Sequence, residues 1–440
     1  MPCLLLPVHK AEDAAPFLNI LQRRDDPTLD DGSANVEETV RAVLHAVKAR
    51  GLEAVTEYTR KFDAPSFSSQ SFAIAPETLA AASAAIPEED ARIIRQAAAN
   101  IREFHRQQKE KSWFTTREDG TVLGQMVVPV DRAGLYVPGG KGGSTPLISS
   151  LLMNAIPAQE AGVREIAAIS PPQADGSLNL YIMAAAHLLG ITEVYAAGSA
   201  WAVAALAYGA GSLKPVDVIA GPGNIFVTTA KRLLIGTVGI DMIAGPSEVC
   251  VVADDGADPA WIAADMLSQA EHDSQASSVC ICISEKTGRA VRTELEKQLT
   301  LLPREEIARK SLQQYGGILL VDSLESAAAT ANAIAPEHLE LMVADPWALL
   351  PAIRHAGAIF MGYHAAEPLG DYYAGPNHVL PTMGTARFSS ALGLATFSKK
   401  SSIIAASPAF AQKSAEATAR LARLEGLEAH ARSALCRKGE

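Results

Sequence analysis

Two stretches decide the fold: DRAGLYVPGG at residues 131–140 and VDVIAGPGN at residues 216–224. Each is a short apolar run that ends in glycines, the pattern of a buried strand turning into a helix. The intervening chain alternates in the same way. Gly139–Gly143 leads into a helix through Asn154, followed by a strand near Glu165–Ser170 and a helix near Leu178–Leu189. A strand near Thr192–Ala196, a helix near Ala200–Tyr208 and a helix from Asn224 onward complete the series. Such alternation predicts a mostly parallel sheet with helices on both faces.

Working outward, a second block of the same kind starts at Val249–Ala253, and helical spacing recurs at Val40, Val43, Leu44 and Val47 and again from Pro87 to about Gln108. The predicted fold class is therefore α/β: two Rossmann-like domains with mostly parallel sheets, a helical N-terminal region and a helical C-terminal tail. The predicted division is an N-terminal segment over 1–30, an α/β domain from 31–130 and 250–390, a nucleotide-type domain over 131–249, and a tail over 391–440.

The charge balance, 38 basic against 49 acidic residues for a net charge of −11, argues against a nucleic-acid or anionic-membrane surface, which needs a basic face. No apolar run approaches the ~20 residues of a membrane span, and no signal-peptide pattern opens the chain. The five cysteines are odd in number and lack paired-motif spacing, so a reducing cytoplasm is expected.

Several motifs carry chemistry. The turns Val137-Pro138-Gly139-Gly140 and Gly221-Pro222-Gly223-Asn224 follow strands, where glycines let backbone N–H groups approach a phosphate. Neither is G-x-G-x-x-G, so plain strand-to-helix turns remain the alternative. Asp258-Pro259 suits a helix start, and on that helix Gln269 and His272 leave one face, where an amide oxygen and an imidazole could hold a metal or be merely solvated. Ala335-Pro336-Glu337-His338 sets an acid beside an imidazole, a pairing suited to stepwise oxidation through an aldehyde or to an ordinary helix start. The loop from Glu367 to His378 gathers Asp371, Asn377 and His378, and the tail carries Glu425 and His430.

Taken in order, GLYVPGG (134–140), GPGN (221–224), IDMIAGPSEV (240–249), LSQAEH (267–272), APEHLE (335–340), GDYYAGPNHVLP (370–381) and EGLEAH (425–430) resemble the histidinol dehydrogenase family over roughly residues 35–430. The resemblance implies an NAD-dependent oxidation of L-histidinol through L-histidinal to L-histidine, the last step of histidine biosynthesis. It implies Zn2+ held by Gln269, His272, Asp371 and His430, two nitrogen and two oxygen donors that zinc accepts with room for substrate. By the same resemblance Glu337 and His338 are the acid–base pair, with His338 taking the alcohol proton and Glu337 activating water. Ser247, His378 and Glu425 fall on substrate-contacting positions together with Gln269, His272, His338, Asp371 and His430. Tyr136, Trp201 and Asn224 fall on positions that contact NAD. The resemblance also implies a homodimer whose tail crosses to the partner, so that His430 completes the other subunit's site.

One departure stands out. Gly198-Ser199-Ala200-Trp201 replaces the family's G-A-Q stretch, and an indole donates one hydrogen bond but accepts none. The run Gly139–Thr145 is also unusually glycine-rich. Three rivals compete with the main reading. The first is a paralogous zinc/NAD dehydrogenase of a sulfonated diol (sulfopropanediol), disfavoured by the carboxylate of Glu425. The second is a thiol-dependent aldehyde dehydrogenase using Cys250 or Cys280. The third is a zinc-stabilised binding protein, in which Glu337 and His338 would have no chemical task.

Overall fold

The computed structural model describes residues 8–10, 21, 33–140 and 143–438. Among these residues, two six-stranded sheets and one three-stranded sheet organise the chain. In the first, the order is Ala73–Ile74, Glu193–Ala196, Glu165–Ser170, Arg132–Tyr136, Val218–Ala220, Gly239–Ile240, parallel except for the Ala73–Ile74 edge. The second is parallel throughout: Val8–Lys10, Gly316–Leu320, Ser277–Cys282, Glu248–Ala253, His338–Met342, Ala358–Met361. The central strands read as continuous apolar runs because helices cover both faces of a parallel sheet and no face is left for water. Arg132–Tyr136, Glu248–Ala253 and Ser277–Cys282 are buried along their whole length.

The α/β reading thus holds. Local chemistry also sets the helix starts: Asn179, Asn224 and Asp258 cap their helices through side-chain oxygens that accept the first free N–H groups. Three expectations change. The helices of 31–130 join the core of the first sheet and not that of the second: Val40, Val43, Leu44, Val47, Ile94 and Ile101 lie in the same core as Leu135, Val203 and Val227. Helical spacing gives the buried face of these helices but does not name the sheet that it covers. The segment 391–440 is not wholly helical, since Ser398–Ala405 forms a strand antiparallel to Val122–Pro129, which also pairs with Trp113–Thr116. Its partner lies far upstream, so no local pattern announces it. Pro336-Glu337 leads into a strand and not a helix. Of the N-terminal segment, Val8–Lys10 is an edge strand, and most of the remainder lies outside the described residues.

In the first sheet the strand order reverses between Arg132–Tyr136 and Val218–Ala220, with later strands added on either side. At such a switch point the connections leave in opposite directions and open a crevice beyond the carboxyl ends of the strands. The two glycine turns, 137–140 and 221–224, form its lips.

Candidate active site

The densest group of buried ionisable side chains sits at the amino edge of the second sheet. Strands Glu248–Ala253 and His338–Met342 run side by side with Val249 opposite His338. This register brings Glu248 against Glu337. The Glu248 N–H donates to Glu337 Oε2 (2.8 Å) and the Glu337 N–H donates to Glu248 Oε2 (3.2 Å). The reciprocal pair holds the Glu337 carboxylate rigidly, and burial pushes its pKa up to about 8 against the opposing charge of His338.

His338 is 3% exposed. Its Nδ1 lies 2.9 Å from the Glu248 carbonyl, which can only accept, so Nδ1 carries the proton. That leaves Nε2 as the reactive nitrogen. It is buried without a hydrogen-bond partner and faces Asp371 Oδ1 at 3.6 Å. Burial alone would lower the imidazole pKa, but the carboxylates of Glu337, Asp371 and Glu367 outweigh it and raise the pKa to about 10.

Helices then bring the remaining groups to the same edge. The helix Pro259–Ala270 follows strand Glu248–Ala253 and returns to the amino edge, which delivers Gln269. The Gln269 amide nitrogen donates to Glu367 Oε1 (3.1 Å) and its oxygen accepts the Glu248 N–H (3.0 Å). This side chain also lies 3.3 Å from His338 Nδ1. The short helix Glu367–Tyr372 carries Glu367 and Asp371. Burial opposes ionisation of Asp371, yet the imidazole of His338 facing it and the nearby His378 and His272 keep its pKa lowered. His378 Nδ1 donates to the Asp371 carbonyl (2.9 Å), and burial lowers its pKa. His272 is solvent-accessible at the rim, but enough protein surrounds it that burial lowers its pKa against the pull of Asp371. Ser247 directly precedes strand Glu248–Ala253 and accepts from the Ser277 N–H through its carbonyl (3.0 Å).

Seven of the residues expected from the sequence therefore gather here: Ser247, Gln269, His272, Glu337, His338, Asp371 and His378. Glu425 and His430 do not. Both are exposed on the tail helices Pro408–Leu424 and Glu428–Leu435 or the turn between them, with no hydrogen bond or ion pair to these residues. Sequence reading missed Glu248, Glu367 and the deeper pair Asp265 and Glu340, whose pKa values burial raises to about 6 and about 9. A signal existed for Glu340: a carboxylate inside HLELM, an otherwise apolar buried strand, is costly unless it serves a purpose.

The donor set suits a divalent metal. His338, Glu367 and Asp371 offer ligand atoms all within 4.8 Å of one another, and a neutral His272, the Gln269 oxygen and the Asp371 carboxylate are the borderline nitrogen and oxygen donors zinc takes.

In the crevice, the Ser199 N–H donates to the Tyr136 hydroxyl (3.2 Å), and Asn224 Oδ1 accepts from the Phe226 and Val227 N–H groups (3.1 and 3.2 Å), capping its helix. Trp201 is different from expectation. Its indole is 6% exposed, packs against both Tyr58 and Phe62 and donates Nε1–H to Thr59 Oγ1 (3.1 Å), which places it in the core. The thiol reading fails as well: Cys250 and Cys280 are fully buried and their pKa values are raised, Cys250 by burial and Cys280 first by its contact with Cys282.

A switch-point crevice in one sheet and a desolvated acid–imidazole pair in the next are the features of an enzyme that pairs a nucleotide-type site with acid–base chemistry. Comparison with known proteins narrows the class. The "Histidinol dehydrogenase" family profile matches residues 28–438. Histidinol dehydrogenase of Nitratidesulfovibrio vulgaris is 60% identical over 441 residues, covering 100% of both chains. That of Oleidesulfovibrio alaskensis is 60% identical, covering 98% of this chain and 99% of its own. The crystal structure of histidinol dehydrogenase from Elizabethkingia anophelis superposes with a TM-score of 0.86 at 35% identity, covering 99% of this chain and 94% of that one. The chain belongs to the histidinol dehydrogenase family.

Proposed function

We propose that the protein oxidises L-histidinol through L-histidinal to L-histidine, consuming two NAD and one water. The observation that carries this reading is the His338 imidazole, locked by the Glu248 carbonyl with an unpartnered Nε2 aimed at the space beside Asp371. When bound, NAD would take up the carbinol hydrogen with its electron pair, and zinc would anchor the nitrogen donors of the amino alcohol and offset the negative field around His338.

The chain's own residues supply the rest. His338 Nε2 takes the hydroxyl proton in the first oxidation. Glu337, held through Oε2, keeps Oε1 for a water that adds to the aldehyde, and its raised pKa makes it a stronger base than an ordinary carboxylate. Gln269, His272 and Asp371 would hold the zinc, joined by His430 of the partner subunit. Glu367 fixes the Gln269 amide so that its oxygen cannot rotate away. Ser247, His378 and Glu425 would line the substrate, the Glu425 carboxylate suiting a cationic amine. Tyr136 and Asn224 would meet the cofactor at the crevice.

The tail supports a homodimer. Its two helices bury only Ala415, Ala419 and Ala431, while Leu421, Leu424 and Leu427 stay exposed, an apolar face that a second copy would cover. Among the described residues no helix is long and apolar enough to cross a membrane. Cys250, Cys280, Cys282 and Cys436 are free thiols, which accords with a reducing cytoplasm. The test is NADH production from L-histidinol with and without a chelator. Turnover that a chelator abolishes and zinc restores supports the reading. Turnover of a sulfonated diol with none of histidinol refutes it.

A further inference from the structure

The IDMIAGPSEV segment delivers Ser247 and Glu248 to the active site, but nothing in the mechanism uses its acidic residue Asp241. Asp241 forms an ion pair with Lys231, and both side chains are buried, at 0% and 3% exposure. A buried ion pair is a poor way to stabilise a fold, because apolar residues of similar size do as well or better. Its placement points to another task. Lys231 Nζ donates to the Gly221 carbonyl (2.9 Å), and the Gly221 N–H donates to Asp241 Oδ2 (2.8 Å). The pair therefore grips both polar groups of one residue, the first glycine of the GPGN turn.

Gly221 needs such a grip. Its φ of +127° lies where L side chains rarely go, and a Cβ there would stand 2.0 Å from the Tyr136 carbonyl. The turn thus presses its backbone against the end of the strand that carries Tyr136, the opposite lip of the crevice. Asp241 is itself fixed, since its N–H donates to the Ile219 carbonyl (3.1 Å). Asn224, three residues on, is exposed and has only its Oδ1 engaged by the helix cap.

We propose that Lys231 and Asp241 are positioning residues for the dinucleotide: they hold the Gly221 peptide groups so that the 221–224 turn and Tyr136 keep the spacing the cofactor needs. The proposal rests on the cofactor reading given above. Because Asp241 and Glu248 lie on one short segment, the same piece of chain also fixes the crevice relative to the acid–base pair.

The test uses two double variants of the full-length enzyme that both remove the buried charges, Lys231→Met/Asp241→Asn and Lys231→Met/Asp241→Leu. Neither leaves a lone buried charge, so both should fold, which thermal unfolding checks. Only the asparagine variant keeps an acceptor for the Gly221 N–H. The NAD dissociation constant is measured by direct titration without substrate, and KM for L-histidinol is measured alongside. The expected result is NAD binding about tenfold weaker in the leucine variant than in the asparagine variant, with the histidinol KM alike, since loss of the acceptor for a buried N–H costs on this scale. Equal NAD affinity in the two doubles, both matching the unaltered enzyme, overturns the proposal. Asn224→Ala separates the two ideas: if it weakens NAD while the doubles do not, the positioning role alone fails, and if it too is silent, the cofactor reading fails with it.

Discussion

Trp201→Ala gives the sharpest contrast between a position inferred from family resemblance and the packing that this chain adopts. The resemblance puts Trp201 against NAD, whereas the structure puts its ring 5.8 Å from Tyr58 and 5.6 Å from Phe62, with its N–H on Thr59. Removing a buried tryptophan costs ~3–5 kcal/mol in transfer and cavity terms. The stacked pairs add ~0.5–1.5 kcal/mol each beyond burial; Phe62 is 59% exposed, so its share falls at the low end. A total of about 4 kcal/mol follows, since relaxation of the exposed Phe62 ring recovers part of the cavity. The assay is urea unfolding followed by near-ultraviolet circular dichroism, with NAD titrated into the folded variant. The unfolding midpoint should fall clearly while NAD affinity stays within about threefold, under 1 kcal/mol. Trp201→Phe should recover most of the stability. An unchanged midpoint with NAD binding weakened about tenfold would show that the indole serves the cofactor, and the packing argument would be wrong.

Glu337→Gln should slow oxidation of added L-histidinal more than the first oxidation, and His338→Asn should slow both, each by about 10²–10⁴-fold in single-turnover measurements; equal, mild effects would make the pair structural. Asp63, whose pKa burial raises to about 6, binds its proton more tightly folded than unfolded. That contribution is complete below about pH 4 and is lost as pH rises through about 6. The melting temperature of Asp63→Asn relative to the unaltered protein should therefore rise between pH 4 and 7, and a pH-independent difference would contradict the shift. Mixing the inactive variants His430→Ala and His272→Ala under subunit exchange should restore activity approaching about a quarter of normal, because half the dimers are mixed and each has one intact site. No recovery would place His430 in its own chain's site.

How much the sequence reveals depends on the range of each interaction. The strand–glycine–helix alternation from Asp131 to Val252 is a local pattern, and the structure reproduces it together with the caps at Asn224 and Asp258. Gln269 and His272 share a helix end and Glu337 and His338 share a strand start, so their pairing is legible from spacing alone. That the two pairs meet is not, because it depends on the register Val249 opposite His338. The roles of Glu248 and Glu367 are hidden for the same reason: each acts through a backbone or amide group supplied by a distant segment. The strand Ser398–Ala405 finds its partner across the chain and has no helical or turn signature of its own. Trp201 shows the opposite limit. A family position can be inherited while the side chain on it is diverted into the core by Tyr58, Thr59 and Phe62, contributed by a helix that the motif does not include.

The proposed function requires that one site, built on Glu337 and His338, carry out both oxidations. The direct measurement is the yield of NADH and of L-histidine from a limiting, weighed amount of L-histidinol with excess NAD, run to completion. Two NADH and one L-histidine per L-histidinol are predicted, with no L-histidinal captured by an added aldehyde trap. One NADH per L-histidinol, with L-histidinal accumulating in the trap, would contradict the claim.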